Sequence, residues 1–259
     1  MHQELPEDVL LRLTGEGLYA LLGGSDRLVA RIVPGGVLAL SGANAADLNA
    51  AVVWGGEAPE ATLRSFAEDA DKAGAPFLTM FAPDLAEPLA PVARDLGLVH
   101  ATEFPLMVCP ADGFEPAASS SIDVARLTDP SSMSAWVAPV AAAFLLDPTE
   151  TVRALPFDWL QGPVAHGWSA RIDGEVVGAV STTIHGDHVG IWAMATHPDH
   201  QRKGVGQVLL TRVMDEHRRQ GARAFFLGAT PAGKPLYDKI GYATRVVTQV
   251  WVRGETAQA

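Results

Sequence analysis

The sequence predicts an α/β fold in two related halves, and three observations carry that prediction. Short apolar runs of strand length alternate with longer amphipathic runs of helix length; a Pro-, Gly- and Ser-rich stretch at 110–121 interrupts the hydrophobic periodicity; and part of the order before that break recurs after it. A chain of 259 residues is comfortable for two compact units. With 48% hydrophobic and 19% charged residues and no run of like charge, nothing in the composition argues for extended disorder.

Taken in order, residues 50–54 read as a strand, 59–73 as a helix stopped by Gly74, 76–81 as a strand and 85–96 as a helix stopped by Gly97. After the break, 122–127 reads as a short strand and 131–144 as a helix with Ser131 at its N-cap. Residues 147–160 suggest a second helix, because Asp147-Pro148 sets a capping side chain before a proline at the first helical position. Strands at 168–172 and 176–184 form a hairpin around Asp173-Gly174, and a second turn at His185-Gly186-Asp187 feeds a strand at 189–196. Apolar residues at Val205, Leu209, Val213 and at Leu210, Met214 give 205–219 a helical spacing, with Gly221 as the stop. A strand at 224–227, a short helix at 234–240 ending at Gly241 and a strand at 246–252 complete the chain. The expected division is a first domain at 1–112, a linker at 113–120 and a second domain at 121–259. Residues 95–98 stand opposite 239–242, and Gly74-Ala75 opposite Gly221-Ala222. The alternative to a true repeat is that strand-helix-strand units with glycine helix stops resemble one another.

Several classes are disfavoured. The apolar stretches at 18–22 and 137–146 fall short of the roughly 20 residues that cross a bilayer, and Met1-His2-Gln3-Glu4 lacks a basic signal-peptide head, so a cytoplasmic protein without membrane contact is expected. Cys109 is the sole cysteine, which excludes an intrachain disulfide and a cysteine-based zinc site; its apolar setting predicts a buried, inert thiol. A net charge of −11 argues against nucleic acid as a partner and mildly favours a cationic or neutral acceptor, solubility being the simpler reading.

The chemistry concentrates in Met194-Ala195-Thr196-His197-Pro198-Asp199-His200-Gln201-Arg202-Lys203-Gly204-Val205-Gly206-Gln207. A strand, a polar turn with two glycines and a long helix follow one another there. Backbone amides at a helix start lack partners and sit at the positive end of the dipole, so they suit a pyrophosphate, and glycine lets it approach. Arg202 and Lys203 add positive charge at the same place. The spacing fits neither the dinucleotide fingerprint nor the P-loop.

These residues resemble the GNAT (GCN5-related N-acetyltransferase) superfamily. Its pyrophosphate motif, [QR]-x-x-G-x-[GA], is matched by Gln201, Gly204 and Gly206, and its second signature by Leu236-Tyr237-Asp238-Lys239-Ile240-Gly241-Tyr242. The resemblance implies a central mixed sheet flanked by helices, with a splayed strand pair holding acetyl-CoA, in two GNAT-like domains of which the first is degenerate. It implies that Met194, Ala195 and Thr196 face the pantetheine arm, with a strand amide polarising the thioester carbonyl. Arg202, Lys203, Gly204, Val205, Gly206 and Gln207 would then hold the pyrophosphate, and Tyr237 would be the general acid for the leaving thiolate, its alternative being a packed aromatic. No metal is implied; the His197 and His200 pair has no third ligand beside it. Many relatives carry a glutamate on the strand at 191–196, where this chain has no acid, so a base acting through water is left among His185, Asp187, His188, His197 and His200. Thr230 stands where the family often has asparagine.

In the first half, Glu57 and Pro59 occupy the places of Gly204 and Gly206; a carboxylate repels phosphate and proline offers no amide. That half is expected to be structural or to wall the acceptor site. The acceptor is expected near 135–160, whose aromatics Trp136, Phe144, Phe157 and Trp159 are not assigned as substrate contacts. The expected function is transfer of an acetyl group to an amine by direct attack. A domain acting on another acyl thioester, a non-catalytic CoA-binding module, and a homodimer are left open.

Overall fold

The computed structural model describes residues 5–118 and 121–253. The non-basic start at 1–4 and residues 119–120 of the expected linker lie outside the described residues. In chain order the elements are α1 (Glu7–Leu22), β1 (Val29–Val33), β2 (Gly36–Leu40), β3 (Asn49–Val53), α2 (Pro59–Ala73), β4 (Phe77–Phe81), α3 (Pro83–Asp95) and β5 (Val99–Pro110). They continue as β6 (Asp123–Arg126), α4 (Met133–Phe144), α5 (Pro148–Ala154), β7 (Ala165–Ile172), β8 (Glu175–His185), β9 (His188–Thr196), α6 (Val205–Arg219), β10 (Ala224–Gly228), α7 (Lys234–Ile240) and β11 (Ala243–Arg253).

All strands join one 11-stranded mixed sheet in the order β1-β2-β3-β4-β11-β5-β10-β9-β8-β7-β6. The middle of that order is an exchange. β5, which ends the first half, pairs antiparallel with β10 of the second, while β11, which ends the second, pairs antiparallel with β4 of the first. β5 and β11 then pair with each other from Val99↔Val252 to Val108↔Ala243. Each half thus completes its sheet with the other's last strand, so the centre carries no open edge.

Helices cover both faces. On one, α2 and α3 enclose Phe66, Phe77, Phe81, Leu89 and Trp251, and α6 and α7 enclose Leu209, Val213, Phe225 and Tyr237. On the other, α4 buries Trp136 and Val140, and α1 lies across the boundary between halves. Leu10 and Leu13 of α1 pack with Phe226, Leu106 and Val246, and Leu21 and Leu22 pack with Trp136. Cys109 is fully buried, and its thiol is pushed up to about 11, first by burial and then by Asp112, so it stays an inert, protonated group.

Two local readings need correction. Ser131 is not the N-cap of a helix: the Asp129 side chain accepts from Ser131 N (2.9 Å), capping a 3-10 turn at Pro130–Ser132 that leads into α4. The helix begun at Asp147 is correctly capped, its side chain accepting from Glu150 N at 3.0 Å, but it ends at Ala154. Pro156 keeps Leu155 out of helical geometry (φ −125°), and only a 3-10 turn at Trp159–Gln161 follows.

Candidate active site

The site is built where two parallel strands part. β9 and β10 pair only from His188↔Ala224 to Gly190↔Phe226; beyond that point β10 stays with β5, and β9 runs on to Thr196 alone on that side. Its other side remains on β8, with one irregularity. The ladder steps from Ser181↔Trp192 to Ala179↔Ala195, so Ala193 and Met194 together oppose Val180. This is a β-bulge, and Ala193 takes a left-handed conformation (φ 48°), unusual for a residue with a side chain. An opened strand pair with a bulge at its mouth presents unpaired backbone groups to a ligand passing between the strands.

At the end of β9 the chain makes a 3-10 turn at Pro198–His200 and enters α6 through Arg202 (φ 64°) and Gly204 (φ 81°). The first intrahelical bond runs from Val208 N to Gly204 O (3.1 Å), so the amides of Val205, Gly206 and Gln207 have no partner within the helix. The two glycines serve different needs. A side chain on Gly204 would meet open space but would have to adopt positive φ, whereas on Gly206 a Cβ would lie 3.1 Å from Leu236 and 3.4 Å from Met194 and Thr196. Gly206 is therefore what lets the helix start approach β9. Gln201 Nε2 donates to Thr196 O (3.3 Å), Lys203 Nζ to Asp199 O (2.9 Å) and Lys239 Nζ to Gln207 Oε1 (3.0 Å), while Arg202 is exposed. Met194, Ala195, Thr196, Gln201 and the run Arg202 to Gln207 thus follow one another from the end of β9 through the turn to the start of α6. Thr230 Oγ1 accepts from Gly233 N (3.1 Å) and shapes the turn into α7.

Tyr237 of α7 joins Val205 and Leu209 in one cluster, with Met194 and Leu236 packed at its margin. Its ring meets that of Tyr242 edge-on at 5.8 Å. Burial pushes the Tyr237 phenol up to about 12, so it keeps its proton throughout the neutral range.

The histidines are dispersed. His185 Nε2 lies 3.0 Å from Thr183 Oγ1, and burial, then His188, lowers it to about 4. His188 Nδ1 is 2.9 Å from Asp187 Oδ1, and the His197 and His200 rings are 6.2 Å apart. Among the described residues no group of three His, Cys, Asp or Glu is placed to hold a metal ion. Of the aromatics at 135–160, Trp136 is core, its Nε1 donating to Trp168 O (2.9 Å), and Trp159 Nε1 reaches across to Ala20 O of α1 (2.7 Å). Sequence reasoning did not single out Trp192, which stands directly before the bulge with Nε1 donating to Thr183 Oγ1 (2.7 Å).

Residues 135–242 match the family model described as Acetyltransferase (GNAT) family. Over those residues the chain carries a GNAT acyltransferase domain, and GNAT proteins use acyl-CoA as cosubstrate. Among solved structures, it is similar to a GCN5-related N-acetyltransferase from Kribbella flavida at 16% identity and TM-score 0.70, covering 96% of this chain and 97% of that one. A tandem GNAT protein from the clavulanic acid biosynthesis pathway aligns at 14% identity and TM-score 0.58 over 97% of this chain and 89% of its own. A third likeness, to a GCN5-related N-acetyltransferase from Sphaerobacter thermophilus, has 14% identity and TM-score 0.58 over 86% and 78%. At such identities the likeness is one of fold. No curated protein matches by sequence.

Proposed function

We propose that the protein moves the acetyl group of acetyl-CoA to the amine of a small molecule or peptide by direct attack. One observation supports this most: the strand opening after Gly190, the bulge at Ala193 and the free amides at the start of α6 all lie on one passage. In this reading the amides of Val205 to Gln207, with Arg202 and Lys203, hold the pyrophosphate, and the backbone of Met194 and Thr196 lines the pantetheine. A strand amide at the bulge polarises the thioester carbonyl. The neutral amine nitrogen attacks the carbonyl carbon, the C–S bond breaks, the thiolate takes its proton from Tyr237, whose raised pKa keeps a proton available, and the proton given up by the nitrogen passes through water and restores the phenol. Cys109 is buried outside this passage, which fits a route without a covalent enzyme intermediate. We further propose that 1–112 is a degenerate repeat of 121–259, leaving one site per chain, and that the protein works in the cytoplasm. No helix among the described residues is long and apolar enough to cross a membrane.

The test is an amine library with acetyl-CoA, following thiol release, in the native protein and in Tyr237→Phe. The expected result is turnover with one amine class, a kcat lowered on the order of 100-fold by the substitution, and unchanged CoA affinity. Turnover unaffected at every pH would remove Tyr237 as the acid. Release from a different or carrier-bound acyl thioester would favour the second reading, which the absence of an acid on residues 191–196 supports. CoA binding without any acyl transfer would make the domain a binding module.

A further inference from the structure

We propose that α1 of the first half is the second wall of the acceptor chamber, and that Trp192 sets the size of the amine admitted. This rests on the reading above. The pyrophosphate end of the passage belongs to α6, and α6 and α7 fill that face of the sheet. An amine must therefore reach the thioester from the opposite face, which α4 and α1 cover.

Two indoles of the second half are seated in glycine notches of the first. The Trp192 ring lies between Gly190 on its own strand, where a Cβ would stand 2.6 Å from Nε1, and Gly17 of α1, where a Cβ would collide with Cζ2. Thr183 Oγ1 and an edge-on contact with Phe226 (6.0 Å, 84°) fix its remaining freedom. Trp159 lies further along, at the C-terminal end of the same helix: its Nε1 donates to Ala20 O, and Gly23 and Gly24 each leave room that a Cβ would take from the indole, at 2.7 Å from Cζ2 for Gly23. Gly17, Gly23 and Gly24 are not among the glycines at positive φ, so space is what requires them. Both indoles stay partly exposed, so part of each ring is free to meet an acceptor. Asn44 N, donating to Glu150 Oε2 (3.1 Å), ties α5 to the first half as well. Trp192 precedes the bulge by one residue, so a shift of its ring moves the floor beside the thioester. Gly17 and Trp159 are positioning residues; Trp192 is the specificity residue.

The experiment uses the full chain, benzylamine and a short lysine peptide as probes, and three variants: Gly17→Ala, Trp192→Phe and the double variant. Gly17→Ala is expected to raise acceptor KM about tenfold with CoA affinity, measured by calorimetry, within twofold of native. Trp192→Phe is expected to shift preference toward the bulkier amine, and the double variant to recover most of the lost KM, since the smaller ring vacates the space the new methyl needs. Equal losses for CoA and both amines, or no recovery in the double variant, would overturn the proposal. Hydrogen exchange with CoA and each amine separates the two readings. Protection of 16–22 and 157–161 without turnover keeps the wall and removes acetyl transfer. Turnover without that protection, and with acceptor KM unmoved in Gly17→Ala, keeps the function and removes the wall; neither turnover nor protection removes both.

Discussion

The two halves carry the same strand-helix-strand core and differ at the place where a ligand could enter. In the second half β9 leaves β10 after Gly190, and an extra residue bulges its other ladder. In the first, β3 pairs with β4 from Ala50↔Leu78 to Val53↔Phe81, the contact extends through Ala82 N to Val53 O (2.9 Å), and the β2–β3 register runs without a shift. The helix that follows differs in the same sense. α6 begins on Gly204 with free amides, while α2 begins on Pro59, which has none to give. The place of Tyr237 is taken by the fully buried Ala93. One half spends its core on closing the sheet; the other leaves a slot. A shared fold therefore does not make a site, which needs the slot and the helix start together.

The comparison can be broken or sharpened by experiment, beginning with the largest effect. A chain starting at residue 121 lacks β5, so β10 and β11 both lose their central neighbour. It should be recovered unfolded or aggregated, and soluble only when residues 1–120 are co-expressed. A stable, monomeric, CoA-binding fragment would show that the exchanged strands are dispensable. Next, Gly206→Val pushes on Leu236, Met194 and Thr196 and should weaken CoA about 10- to 100-fold, as expected when charge-assisted amide contacts of about 1.5–3 kcal/mol are lost. The matching change in the first half, Pro59→Gly, should leave calorimetric stoichiometry at one CoA per chain; two would mean that the closed half needs only an amide. Gly204→Ala meets open space but keeps φ at 81°, costing about 1 kcal/mol of folding stability, read from urea unfolding.

A further effect concerns acid. In the second half, His217 Nε2 shares a hydrogen bond with Thr182 Oγ1 (3.0 Å), and His166 stacks on it at 5.6 Å. Burial first, then the neighbouring positive groups, lowers both histidines to about 4. The unfolded chain, near 6.5, binds more protons than the folded one between those values, so stability is lost as pH falls from about 6.5 toward 4, by up to about 1.4 kcal/mol per proton and pH unit. Urea midpoints from pH 7 to 5 should fall less steeply in His217→Gln. An unchanged slope would place the acid sensitivity elsewhere.

Much of this arrangement was legible before folding, and the reasons are local. The bounds of α2, α6 and α7 coincide with the sequence reading, since proline, glycine and apolar spacing act over a single turn. The succession of strand, turn and helix start from Met194 to Gln207 was legible for the same reason. The misses have physical causes too. α1 was not read as a helix; Gly15 and Gly17 depress its intrinsic propensity, and its helicity rests on Trp54, Val37 and Trp192 packed against those glycines. The hairpin of β1 and β2 carries a usable signal in Pro34-Gly35, with Gly35 at φ 89°. Trp159 and Trp192 could not be separated from ordinary core aromatics, because what distinguishes them is a glycine far away in the chain.

Taken alone, the sequence determined most elements after residue 49, their order and the glycine-led entry to α6, since each follows from the φ freedom and apolar spacing of adjacent residues. Tertiary structure decided which strand closes which half, where β9 and β10 part, and which helix packs on Trp192. Those outcomes depend on edges and notches brought together across well over a hundred residues, such as β4 with β11 or Gly17 with Trp192, and no local pattern encodes the partner.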